Sequence, residues 1–444
     1  MTASNADIER RVNSHLWGYL KPLGTLQGLM SIDFWRPAPE ASLGRDPYQN
    51  TLILPGPHIS GHHCNIEWNG QNGEACQVVV HDDSTNGTWI EYPMTGQRRR
   101  ITRGKFGELR DGDVISFGLP PVMGSDYRYK FVEVARGAAN PALIDDHYEA
   151  GEHLGRGSYG SVMKARHRAT GRVVAVKHIN FQSTKANVFA EISALERVKH
   201  QHVMELHGFY VGPPGSCDVF IVMEYVDGVD LFDYMMKELE TRLLSPAGPQ
   251  FRGIPQNICR DIMYQLCHAL AHIHSLGIVH RDIKPENVIL RRGDHRWPYI
   301  VLADFGLSHV QRGRDMDQEI CLTDITGSYP YMAPEVRDNS ATGYDHYADS
   351  FSAALVMWAL ITLSSPWTED RTEQNPSPDL DWNAITLELL DAEGLRMLKL
   401  MLAMDPQERI SAAGALSLPW LSHHEAMYPI PDEVAQEYLG TGVF

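Results

Sequence analysis

The sequence predicts two successive architectures: an all-β sandwich over residues 15–135, then a bilobal α+β unit over residues 148–421. Three observations predict this. Short apolar runs alternate with turn dipeptides up to Ala135. The stretch Arg136-Gly137-Ala138-Ala139-Asn140-Pro141 then reads as a linker. Beyond it, strand-like runs come early and helix-like segments late.

The elements follow in order. Residues 1–14 form an N-terminal tail. Cys76-Gln77-Val78-Val79-Val80, Thr88-Trp89-Ile90 and Tyr129-Lys130-Phe131-Val132-Glu133-Val134 are strands of the sandwich. Asn69-Gly70, Asn72-Gly73, Asn86-Gly87 and Asp111-Gly112 supply the positive φ angles that tight hairpins need. The linker extends over 136–147. Arg172-Val173-Val174-Ala175-Val176-Lys177 belongs to a small β-rich lobe, and Ile258 to Leu276, with apolar residues at helical spacing, to a larger helical one. Glu240 to Gln256 reads as an irregular loop, and residues 422–444 as a C-terminal tail.

Composition narrows the class. The chain has 444 residues, enough for two or three cores, and 43% hydrophobic residues, as globular domains do. A net charge of −17 argues against non-specific binding to nucleic acid or anionic membranes. The cysteines at 64, 76, 217, 259, 267 and 321 form no C-x-x-C pair, so a reducing compartment is the simpler reading. No apolar run reaches the length of a membrane span, and the N-terminus lacks the apolar stretch of a signal peptide. An intracellular location is expected.

The chemistry concentrates in His280-Arg281-Asp282-Ile283-Lys284-Pro285-Glu286-Asn287, followed by Asp304-Phe305-Gly306. These residues supply what phosphoryl transfer to a hydroxyl requires. Asp282 would accept the hydroxyl proton, Lys284 would neutralise charge at the transferred group, and Asn287 and Asp304 would hold metal ions. Upstream, Gly155, Gly157 and Gly160 stand in a G-x-G-x-x-G-x-V run ending at Val162, where backbone amides can close over phosphates. Lys177 follows, then Glu191 on a helix to hold it. Each sign alone is weak; a surface lysine or a solvated glutamate is the ordinary reading. Together with Ala333-Pro334-Glu335, in one order, they resemble the eukaryotic protein kinase family over residues 148–421.

That resemblance implies ATP and Mg2+ as cofactors. It implies that Leu154, Val162, Ala175 and Ile289 sandwich the adenine, with Met223 as gatekeeper and the backbones of Glu224 and Val226 on the adenine edge. It also implies that Asp349 braces the catalytic loop and that Glu335 pairs with Arg409. His272, His274 and His280 lie close together, but an ordinary buried helix end explains them better than a metal site.

The sandwich has its own ordered signs: Gly44-Arg45, Ser60-Gly61-His62-His63, Ser84-Thr85-Asn86-Gly87-Thr88 and Leu109-Arg110-Asp111-Gly112-Asp113. They resemble a forkhead-associated (FHA) domain, which binds phosphothreonine peptides. Arg45 and Ser60 would hold the phosphate, Asn86 the peptide backbone, and Thr85 would assist. His63 reads as a brace for the Ser60 loop. Gly61 departs from the basic or polar residue that relatives often carry, and His62 compensates in part.

The pair of modules resembles the checkpoint effector kinases and their fungal meiotic relatives. That implies a Ser/Thr kinase, located in the nucleus, recruited or activated by a phosphothreonine protein. Asp230 and Glu286 could pair an Arg upstream of the substrate hydroxyl, and the resemblance carries neither direct nucleic-acid binding nor membrane binding. Two departures stand out. No Ser-Gln or Thr-Gln dipeptide occurs, and Asp324 occupies the usual position of the activating threonine, between Thr323 and Thr326. Arg281 normally receives that phosphate, so Asp324 could order the segment in part, with one charge where phosphate has nearly two. The competing reading is a scaffold with little catalysis. Arg98-Arg99-Arg100 is too short for an import signal and is expected in an exposed hairpin.

Overall fold

The computed structural model describes residues 16–23, 31–36, 38–46, 49–54, 56–93, 95–118, 127–135, 143–157, 160–180, 188–212, 216, 218–243, 253–292, 298–310, 322, 326–337, 343–367 and 380–422. Residues 1–14 and 423–444, most of the linker, Cys217, Cys321, Thr323 and Asp324 lie outside them.

The N-terminal part is a two-sheet sandwich. Its strands are β1 (Leu16–Pro22), β2 (Ile32–Trp35), β3 (Glu40–Gly44), β4 (Leu52–Ile53), β5 (Cys64–Trp68), β6 (Val78–Asp82), β7 (Thr88–Tyr92), β8 (Gln97–Ile101), β9 (Phe106–Leu109), β10 (Val114–Phe117) and β11 (Arg128–Glu133). One sheet runs β2-β1-β11-β10-β7-β8 and the other β4-β3-β5-β6-β9. Alternation buries one face of each strand: in β11 Tyr129 and Phe131 point inward while Lys130 is exposed. The core centres on Trp17, which stacks on Phe34 with ring centroids 4.5 Å apart and lies 6.1 Å from Trp68. Leu16 on β1 and Trp35 on the edge strand β2 are buried in the apolar cluster that otherwise belongs to the C-terminal lobes.

Within the expected linker, Ile144–His147 forms one helical turn, where Asp145 and Asp146 favour a helix start. A five-stranded antiparallel sheet follows, β12 (Tyr148–Gly157), β13 (Gly160–His167), β14 (Val173–Asn180), β15 (Leu206–Val211) and β16 (Asp218–Glu224), in the order β12-β13-β14-β16-β15. The helix Val188–Arg197 packs beside it.

The larger lobe is helical. The helix Tyr347–Thr362 is buried along nearly its whole length, from Ala348 to Thr362, so it has no polar face and forms the lobe's centre. Gln256–Ser275 packs against it, burying Ile262, Leu266, Leu270 and Ile273 on one stripe. The expected irregular loop starts later than its composition suggests, because the helix Leu231–Leu243 continues through Glu240. Small sheets carry the catalytic segments: β17 (Gly228–Asp230), β19 (Val288–Arg291) and β20 (Ile300–Leu302) in the order β17-β19-β20, and β18 (Ile278–Val279) with β21 (His309–Val310).

Candidate functional site

The strand pairing of the smaller lobe puts Lys177 on β14, facing the helix that carries Glu191. Its Nζ donates to Glu191 Oε1 at 2.8 Å and Oε2 at 3.0 Å, and to Asp304 Oδ1 at 2.7 Å. Burial alone would depress the ammonium pKa, but the two carboxylates outweigh it and leave it raised, so Lys177 is a fixed cation. Burial pushes Asp304 up, yet Lys177 wins there too and its pKa is lowered.

Asp282 lies in the loop between β18 and β19, where four hydrogen bonds fix its carboxylate. Oδ1 accepts from the Ser328 N–H at 2.9 Å and the Ser328 hydroxyl at 2.8 Å. Oδ2 accepts from Lys284 Nζ at 2.8 Å and Asn287 Nδ2 at 3.0 Å. Lys284 also donates to Ser328 Oγ at 2.7 Å. These donors fill the usual lone-pair positions, so a substrate hydroxyl must displace one of them. The Ser328 hydroxyl can rotate away most cheaply, since its backbone N–H still holds Asp282. Ser328 was missed in the sequence; its only signal is its place between Gly327 and Ala333-Pro334-Glu335.

Asp349 holds this loop from below. Its carboxylate accepts the backbone N–H of His280 at 2.8 Å, that of Arg281 at 2.8 Å and His274 Nε2 at 2.9 Å. Full burial would raise its pKa, but these donors lower it. Arg281 and Asp304 adopt positive φ of 69° and 59°, unusual for residues with a Cβ; Asp349 holds the Arg281 N–H, and Lys177 holds the Asp304 carboxylate. Glu335 meets Arg409 in a buried bidentate pair, with Oε1 at 2.5 Å and Oε2 at 2.9 Å.

At the expected nucleotide site Ala175 is buried, Val162 and Ile289 are half-buried, and Leu154 is 41% exposed. Met223 is buried behind them. Glu224 uses its N–H on Glu205 O and its carboxylate on Arg291, at 2.6 Å, which fixes the strand-to-helix connection. Gly155, Gly157 and Gly160 lie on the β12–β13 hairpin. For magnesium the donor set fits: Asn287 turns its amide nitrogen to Asp282, leaving Oδ1 as a carbonyl donor, and Asp304 is ionised. Such an ion is held by one or two oxygen ligands together with phosphate oxygens. Among the described residues no three His, Cys, Asp or Glu form a metal cluster, and His274 and His280 are engaged by Asp349 and Ala303 O.

At one end of the sandwich, backbone and side-chain bonds gather Arg45, Ser60, Thr85 and Asn86. The Arg45 N–H donates to Ser60 O at 2.9 Å, the Thr85 N–H to Ser60 Oγ at 3.0 Å, and Asn86 Nδ2 to His58 O at 2.8 Å. The Arg45 side chain is exposed. Fully buried His63 accepts the Ser60 N–H on Nδ1 at 3.1 Å. Gly44 is required sterically, because a Cβ there would overlap Gly61 O. Asp82 Oδ1 accepts from Ser84 Oγ at 2.7 Å and Thr88 Oγ1 at 2.6 Å, and Ser84 Oγ takes the Gly87 N–H at 2.7 Å. His62 is held by Asn50 Oδ1 at 2.9 Å.

A two-lobed fold with this lysine, carboxylate and loop geometry defines a phosphotransferase, and the comparisons agree. The protein kinase domain model matches residues 148–421, and the FHA domain model residues 41–118. The chain belongs to the protein kinase family and carries an FHA domain ahead of the catalytic domain. It is 28% identical to the serine/threonine-protein kinase cds1 of Schizosaccharomyces pombe, over 85% of this chain and 82% of that one. It is 26% identical to the probable serine/threonine-protein kinase fhkC of Dictyostelium discoideum, over 86% and 62%. It is likewise 26% identical to the serine/threonine-protein kinase chk-2 of Caenorhabditis elegans, over 78% and 70%. The chain is thus a serine/threonine protein kinase. No helix among the described residues is long and apolar enough to cross a membrane.

Proposed function

We propose that this kinase uses ATP with magnesium and is recruited or activated by a phosphothreonine protein through its FHA domain, in checkpoint or meiotic signalling. Asp282 would orient the substrate Ser or Thr hydroxyl and accept its proton, and Lys284 would neutralise the developing charge. Lys177 would hold the α- and β-phosphates. Asn287 and Asp304 would hold the ion, whose positive charge would offset that of the phosphates. Leu154, Val162, Ala175 and Ile289 would enclose the adenine, with Glu224 and Val226 on its edge. The four-donor cage around Asp282, with the Lys177–Glu191 and Lys177–Asp304 pairs beside it, is the observation that carries this reading.

Asp282→Asn keeps the size of the side chain but removes its charge. We expect phosphate transfer to fall by at least about a hundredfold while ATP binding stays within about threefold. Equal turnover in the variant would refute the role of Asp282. The intact Lys177, Asp282 and Asp304 also speak against a pure scaffold.

Arg45, Ser60, Thr85 and Asn86 would bind the phosphothreonine peptide. Asp230, whose Oδ1 caps the helix at Asp233 N at 2.8 Å, and exposed Glu286 would pair an upstream Arg of the substrate. Thr323 or Thr326 would be the phosphosite, or Asp324, at the activating position, would itself partly order the segment without phosphorylation. Phosphatase-treated wild type should then retain activity that Asp324→Ala loses by about threefold or more; equal activities would remove this role. A nuclear location is part of the same reading.

A further inference from the structure

Strand β8 is the exposed edge of the first sheet, with Gln97 to Arg100 in solvent and only Ile101 buried. Cross-strand pairing sets Arg100 opposite Trp89 and Arg98 opposite Glu91 on the outer face. The Arg98 and Arg100 guanidinium carbons lie 4.7 and 5.8 Å from the Trp89 ring centroid. The indole Nε1 is buried without a hydrogen-bond partner among the described residues. Arg100 also packs on Gly87: with φ at +92°, a Cβ there would meet the guanidinium. Gly87 directly follows Asn86, so the stacked Arg–Trp–Arg stripe begins at the candidate phosphopeptide loops.

The stripe continues as a basic face. Outward positions run from Arg98 through Glu91 and Val114 to Lys130, and from Lys130 to Lys21 on β1. Lys130 and Lys21 are exposed neighbours, and Glu91 is the one acid in that row. In a chain of net charge −17, a face of this sign is a local reversal. Its sign excludes the chain's own average surface as the natural occupant and suits an anionic segment.

We propose that this face reads anionic side chains, carboxylate or phosphate, flanking the phosphothreonine of the FHA ligand, with Arg100 and Arg98 as the specificity-determining residues. This rests on the phosphothreonine reading above. From Gly87 to Glu91 the strand advances about 13 Å, the span of roughly four extended peptide residues. The anionic positions therefore fall three to five residues from the phosphothreonine. Planar guanidinium groups preorganised on an indole suit carboxylate and phosphate alike.

The test measures fluorescence anisotropy on the full-length chain with phosphothreonine peptides whose flank is neutral, Asp/Glu-rich or phosphoserine-bearing. The wild type should bind one or both anionic peptides about five- to tenfold more tightly than the neutral one, and the preference should shrink as salt rises. Which peptide gains identifies the source of the charge. Arg98→Gln with Arg100→Gln should bring the ratio to about one. Arg98→Gln alone, remote from Gly87, should reduce the ratio about two- to threefold, separating lost charge from a disturbed loop. Equal affinities in the wild type, a ratio unchanged in both variants, or Arg98-dependent binding of oligonucleotide without any anionic-peptide preference would overturn the proposal. Failure of the wild type to bind any phosphothreonine peptide would instead overturn the phosphothreonine reading, and this one with it.

Discussion

Lys177 shows how much rests on single side chains. Its ammonium lies between two carboxylates, and its own side chain is 7% exposed. Lys177→Met would leave Glu191 and Asp304 facing each other without a counterion. Catalytic rate should fall by about a hundred- to a thousandfold, and stability by about 3–5 kcal/mol in the absence of nucleotide. Steady-state kinetics and thermal melts check the two parts. His202 makes the complementary case. It is buried, bonds Ile300 O through Nδ1 at 3.0 Å and lies 5.6 Å from His200, which stacks on His272. Burial pushes His202 down to about 4 and His200 to about 3. A folded pKa below the unfolded one means that the unfolded chain takes up the proton first. Stability is then complete above about pH 6.5 and declines as pH falls toward 4. At pH 5 the cost is about 2 kcal/mol for His202. His202→Gln should flatten the dependence of melting temperature on pH between 7 and 5; an unchanged slope would contradict this assignment. The catalytic residues were legible because each has one chemical task at a fixed spacing. Ser328 was not, because its role arises only when its segment folds back on Asp282.

Among elements, the loop 84–87 is the clearest case of geometry built from a turn. Asn86-Gly87 was legible as a hairpin signal, since Gly87 adopts φ +92°. Its anchoring was not legible: Asp82 is buried with Ser84 and Thr88 on one carboxylate oxygen, a contact that depends on the two sheets meeting. Gly87→Ala should strain the backbone and displace Arg100, costing about 1–3 kcal/mol. Phosphothreonine-peptide affinity should drop about tenfold or more if the loop shifts with it. Calorimetry and peptide titration test the pair of effects. The helix Leu231–Leu243 runs past the expected start of the loop because Glu240 to Leu243 continue its pattern.

For the whole molecule, the order of two architectures could be read because turn chemistry and helical periodicity separate cleanly along the chain. How the two units meet could not. Leu16 and Trp35 look like ordinary strand residues, yet they join the apolar cluster of the kinase lobes. Apart from that contact, the sandwich has its own core around Trp17, Phe34 and Phe131. Arg409→Ala would strand Glu335 in the larger lobe, 9% exposed, at a cost of about 3–5 kcal/mol. The kinase lobes should then melt first, while phosphothreonine-peptide binding persists at temperatures where ATP binding is lost. Simultaneous loss would mean that the units unfold together.

The proposed recruitment through the sandwich would bring substrates to the catalytic cleft. It is tested most directly by phosphorylating one Ser/Thr substrate sequence with and without a phosphothreonine anchor on a flexible tether. The wild type should show kcat/KM about tenfold or more higher for the anchored substrate, and Arg45→Ala should remove that gain without changing the rate on the free sequence. Equal rates for both substrates in the wild type, or a gain that survives Arg45→Ala, would contradict it.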